Sequence, residues 1–217
     1  MKIAVIFGGQ IRTGVQTSKS VFDFLGEYLP HCDFFIHTWD ITTYKNGDYH
    51  NSHSPEFDWD AIKLKEEYLN EFLEIYKPLK YEVTPFLKFR EEIEHSPDYL
   101  MPAWAYSFWK ANELKKEYEN ENNFKYDYVI KLRPDILLHP NRRLSQDIEM
   151  YKSELDNGEF YIENLIRDWN IDSHTIDDVY FLSNSNVSGC ETIHTSNNKF
   201  NIVFFSIIRR IQKLKTF

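Results

Sequence analysis

The chain has 217 residues, 42% of them hydrophobic and 17% aromatic, with a formal net charge of -9 at pH 7. That length and apolar content predict one folded domain with a sizeable core and exclude a disordered chain. The acidic balance excludes non-specific nucleic-acid binding as the main activity. The two cysteines, Cys32 and Cys190, form no disulfide framework, which points to a reducing compartment and an expected cytoplasmic location. The opening apolar run Ile3 to Phe7 is too short for a secretory signal. No window approaches the roughly 18 apolar residues that span a bilayer.

Ile3 to Phe7 reads as a central strand entering a tight turn at Gly8-Gly9. Val21, Phe22, Phe24, Leu25, Tyr28 and Leu29 then recur at helical spacing until Pro30, and Asp33 to Thr38 forms a second strand. Strand, helix, strand in this order predicts a parallel pair. Ile41 to Asp58 is polar and reads as a long loop, followed by a helix from about Asp60 to Tyr76. Tyr81 to Val83 is a candidate third strand, Arg90 to Pro97 has no clear pattern, and Pro102 opens a helix running to about Asn120. Tyr126 to Leu132 is rich in strand formers, Leu144 to Leu155 looks helical, Glu159 to Asn164 and Val179 to Ser183 look like strands, and Phe200 to Leu214 looks helical. The expected fold is α/β, with a mostly parallel central sheet flanked by helices. Residues 1–198 form the domain, and 199–217 a basic amphipathic helix docked on it or lying on an anionic membrane.

Three strand ends are polar: Gly8-Gly9-Gln10-Ile11-Arg12-Thr13, His37-Thr38-Trp39-Asp40 and Arg133-Pro134-Asp135. Ligands of open α/β sheets bind outside the carboxyl ends of the strands, so these groups are expected to share one crevice. Lys131, Arg133 and Asp135, spaced two apart, are expected on one face of the strand. The glycine turn matches neither a Walker loop nor a dinucleotide fingerprint, but it admits close backbone approach, and Arg12 suits bidentate phosphate binding. His37 and Trp39 are candidates to contact a base or sugar. Asp135 is placed to hold Mg²⁺ or Mn²⁺, with Arg133 neutralising a diphosphate beside it. The alternative for this pair is a structural ion pair. His50 and His53 lack a third ligand for a zinc site.

These strand ends carry a resemblance. The Gly-Gln-x-Arg turn, the strand Asp33-Phe34-Phe35-Ile36-His37-Thr38-Trp39, the aromatic segment Trp104 to Lys110 and the strand running into Arg133-Pro134-Asp135 resemble small bacterial and viral GT-A-fold glycosyltransferases. The resemblance covers roughly the first 185 residues. It implies transfer of a sugar from a nucleotide-sugar donor to a hydroxyl of a glycan or lipid-linked acceptor. It makes Gly8, Gly9, Gln10, Arg12 and Thr13 the nucleotide or phosphate turn and puts Tyr106, with Ser107, near the base or ribose. Asp135 matches the second acid of a D-x-D motif that holds a divalent metal, while Arg133 stands in place of the first. It also implies that Asp177 or Asp178 takes the proton of the acceptor hydroxyl. The rival readings are a sugar-phosphate nucleotidyltransferase and a non-catalytic binding protein of the same fold.

Overall fold

In the computed structural model, residues 1–42, 44–45, 48–49, 63–92, 100–150, 160–164 and 179–184 are described. The unbroken apolar run at the start becomes β1 (Ile3–Gly8), and all six of its residues are buried because helices cover both faces of the sheet. β2 (Cys32–Trp39) pairs with one edge of β1 and β3 (Lys80–Thr84) pairs with β2. β4 (Tyr128–Leu132) takes the other edge of β1, and all these pairings are parallel. β5 (Phe160–Asn164) and β6 (Val179–Asn184) extend the sheet with antiparallel pairings, giving the spatial order β3-β2-β1-β4-β6-β5. Four parallel strands flanked by helices agree with the expected α/β class, and the antiparallel sense of the last two strands is added by the structure.

Alternation along each strand sorts the core into two layers. Ile3, Val5, Phe7, Phe34, Ile36, Ile130 and Leu132 face one side. There they meet Val21, Phe24 and Leu25 of α1 (Gly14–Leu25), Phe72 and Tyr76 of α2 (Glu66–Tyr76), and Leu144 and Ile148 of α5 (Leu144–Met150). Ala4, Ile6, Phe35 and Val129 face the other side, against Phe108 and Ala111 of α4 (Leu100–Asn122). A Cβ on Gly8 would lie 2.8 Å from the backbone nitrogen of Phe108, so glycine is what lets α4 cross the end of β1 this closely. Trp39, Ile41, Phe86, Phe89 and Ala103 form a third cluster, to which α3 (Phe86–Glu92) contributes.

Several boundaries differ from the sequence reading. The helix expected from about Asp60 begins at Glu66, since Leu64 donates its backbone N–H to the Asp40 carbonyl, Lys63 bridges to Ile41, and Lys65 is extended. Its amphipathic pattern starts before its helical backbone does, because backbone pairing with residues 40 and 41 wins locally. Helix α3 was not foreseen: seven residues are too few to establish a period. β4 stops at Leu132 and Arg133 to Asp135 make a turn, so Lys131, Arg133 and Asp135 do not continue on one strand face. Lys131 instead shares the buried face of Val129 and Ile6. The expected segment 199–217 and most of the loop 41–58 lie outside the described residues. Among the described residues, no helix is long and apolar enough to cross a membrane.

Candidate functional site

From β1 the chain moves to β2 and β3 on one side of the sheet, then returns to place β4 on the other. The order therefore reverses between β1 and β4, and a crevice is expected at the carboxyl ends of those two strands. The segments leaving them are Gly9 to Thr13 and Arg133 to Asp135, which the structure brings into direct contact. Arg133 holds Asp135 in a fork, with Nε donating to Oδ1 at 3.0 Å and Nη2 to Oδ2 at 3.1 Å. From the first turn, Arg12 Nη1 donates to the same Oδ2 at 3.3 Å, while its Nε donates to Gln10 Oε1 at 3.1 Å. Two guanidiniums thus converge on one carboxylate, and these three side chains together carry one positive charge.

The first turn is held in an unusual shape. Gly9 has φ +124, a backbone conformation that suits glycine, and Arg12 has φ 42, in the left-handed region that non-glycine residues enter at a cost of about 1–2 kcal/mol. The Tyr68 hydroxyl of α2 offsets that strain, donating to the Arg12 carbonyl at 2.6 Å and accepting the Val15 N–H at 3.3 Å. Gly14 N–H is bonded to the Ile11 carbonyl, and Thr13 makes no side-chain cap on α1. The start of α1 thus has two of its first amides already committed within the protein. Gly14, like Gly8, is required by packing: a Cβ would lie 2.6 Å from the Phe72 ring and 2.8 Å from the Pro134 carbonyl.

Behind the rim the structure places His37 and Trp39 indoors. His37 is fully buried and Trp39 is 2% exposed, so neither ring presents a surface to a base or sugar. A residue at a strand end reads the same in sequence whether solvent or a helix lies above it, and here α4 lies above it. His37 Nδ1 is 2.7 Å from Ser107 Oγ, and Nε2 is 2.9 Å from Thr84 Oγ1. Thr84 donates to Glu82 Oε1 at 3.1 Å, and Glu82 pairs with Lys110 Nζ at 3.0 Å. Burial pushes Glu82 up, but the bonds from Lys110 and Thr84 outweigh it and hold the carboxyl below its usual range. A carboxylate only accepts, so the Thr84 hydroxyl faces it and the histidine proton sits on Nε2, leaving Nδ1 to accept from Ser107. Ser107, expected near a ribose, is itself fully buried. Tyr106 keeps partial exposure, with its ring 5.6 Å from Trp39 and 4.7 Å from Phe89.

Burial pushes His37 down to about 3, further than the Glu82 charge raises it. The unfolded chain takes up this proton below about pH 6.5 and the native protein does not, so acidification through that window favours unfolding. Stability is expected to fall by about 1.4 kcal/mol per pH unit from this residue alone. Urea denaturation of the native protein and His37→Gln between pH 7 and about pH 5 checks it, the variant losing that part of the slope. Equal slopes would mean that His37 protonates in place.

A divalent metal is poorly served by these residues. Among the described residues no group of three or more His, Cys, Asp or Glu is placed to hold one. Asp135 is the carboxylate that the two arginines hold, its side chain 8% exposed, and each oxygen already faces a guanidinium. Asp177 and Asp178 lie outside the described residues. β6, which follows them, begins at Val179 near the carboxyl end of β4, since Lys131 stands opposite Phe181. The sequence does not single out Tyr68, which shares helical spacing with Phe72 and Tyr76, or the Glu82–Lys110 pair. No family model, no curated protein and no solved structure matches the chain.

Proposed function

We propose that the chain is a GT-A-like glycosyltransferase, working in the cytoplasm, that moves a sugar from a nucleoside diphosphate donor to a hydroxyl of a glycan or lipid-linked acceptor. The observation that carries this reading is the meeting of Arg12, Asp135 and Arg133 at the strand-order reversal. Two oriented guanidiniums suit a diphosphate leaving group, whose negative charge grows as the bond from the anomeric carbon to the phosphate oxygen breaks. The acceptor oxygen forms the new bond, and its proton passes to Asp177 or Asp178. Gln10 supports Arg12, Tyr106 borders the donor, and His37 and Trp39 brace the wall behind it. The resemblance implies Mg²⁺ or Mn²⁺ at the diphosphate with Asp135 as its ligand, and the guanidiniums that occupy both Asp135 oxygens do not favour that role.

The test is a screen of nucleoside diphosphates and their sugars. Thermal stabilisation by UDP or GDP, together with acceptor-dependent release of the nucleoside diphosphate, is the expected result. Stabilisation with no release under any acceptor would favour a binding protein without turnover, a reading that the ion-paired Asp135 also suits. Pyrophosphate release from a nucleoside triphosphate would make the protein a nucleotidyltransferase.

A further inference from the structure

We infer that this rim holds the donor diphosphate without a divalent cation, Arg12 and Arg133 doing the ion's work and Asp135 acting as the strut between them. The inference rests on the transferase reading and deepens it. A metal-binding carboxylate has to turn an oxygen toward the ion and the substrate phosphates. Asp135 turns Oδ1 to Arg133 and Oδ2 to both Arg133 and Arg12, and its side chain is almost enclosed. A dication bound there would stand beside two guanidinium charges, whose repulsion opposes its entry. A guanidinium carries five donors in a fixed fork and can serve a carboxylate and a phosphate at once.

The strut also answers a problem of like charges. Two arginines brought to one anion repel each other before it arrives, and a carboxylate between them removes that penalty and fixes their planes. The strained backbone at Arg12, held by Tyr68, and its guanidinium, held by Gln10, point to the same end: the side chain's position is set before any ligand binds. Arg133 in place of the first acid of a D-x-D motif is then the residue that makes the site work.

Calorimetry of the full chain with inorganic pyrophosphate, in excess EDTA and again with Mg²⁺ or Mn²⁺, tests it. Binding is expected in EDTA, changed by less than about threefold on adding metal, and weakened roughly tenfold or more in Arg12→Ala or Arg133→Ala. UDP or GDP is expected to displace the pyrophosphate, which identifies the ligand as a nucleotide donor. Binding that appears only with metal and is lost in Asp135→Asn would overturn the inference and leave the transferase reading standing. A folded protein that binds neither pyrophosphate nor any nucleoside diphosphate under either condition would remove both. Pyrophosphate binding that no nucleoside diphosphate displaces would overturn the assignment to a donor.

Discussion

Replacing Arg133 with alanine is expected to lower kcat/KM for the proposed sugar transfer by about 100-fold or more, the order lost when one preorganised donor to a developing anion is removed. The side chain is 15% exposed and holds Asp135 through two bonds, so it is fixed in place before a donor arrives. Arg133→Lys keeps the charge but not the fork and should retain part of the rate, falling roughly tenfold by the worth of one charge-assisted bond. Both variants should fold, because neither removes Arg12, which pairs with Asp135 at 3.3 Å in the native protein. Release of the nucleoside diphosphate with acceptor present is the readout, and circular dichroism checks the fold. Undiminished turnover in Arg133→Ala would show that the diphosphate lies elsewhere.

The largest loss of stability is expected from Glu119→Ala. Glu119 is 1% exposed on α4 and accepts from Lys115 and Lys125, each at 3.0 Å, and from the Tyr126 backbone N–H at 3.1 Å. Burial pushes its carboxyl up, yet the two lysines and the amide outweigh that and hold it below the usual value. Removing it strands the buried Lys115 ammonium, already pushed down by burial, and leaves the Tyr126 amide without this acceptor. Breaking one side of a buried pair costs about 3–5 kcal/mol, a large share of a domain's net stability. A urea midpoint shifted by less than the equivalent of about 1 kcal/mol would show that the cluster is solvated in practice. The cluster matters for function because it ties the C-terminal half of α4 to the approach to β4, and the same helix presses Phe108 against Gly8 at the rim.

The scaffold was legible wherever one face or both faces of an element were covered. Ile3 to Phe7, Asp33 to Thr38 and the run into Leu132 spell central strands because α1, α2 and α4 shut water out. The meeting of the first turn with Arg133 and Asp135 was legible too, from the general rule for strand ends, and it is the pairing the structure displays. What sequence leaves open is direction and company. Asp135 carries the same letter whether it faces a metal or two arginines, and His37 the same letter whether it meets a ligand or lies beneath Ser107. The antiparallel sense of β6 is a long-range pairing that local propensity does not specify, and the left-handed backbone at Arg12 answers to a tyrosine on another helix.

That tyrosine has a consequence for how the protein comes into being. The turn bearing Arg12 lies among the first residues of the chain, but the hydroxyl that closes it belongs to α2, on the far side of the polar stretch after β2. A nascent chain that has emerged only as far as β2 already has both partners of the first parallel pair, and still nothing to keep Arg12 in its costly backbone shape. Competence at the rim is therefore acquired late, when a remote helix docks, and an N-terminal fragment released before Tyr68 would be a scaffold with its working edge slack.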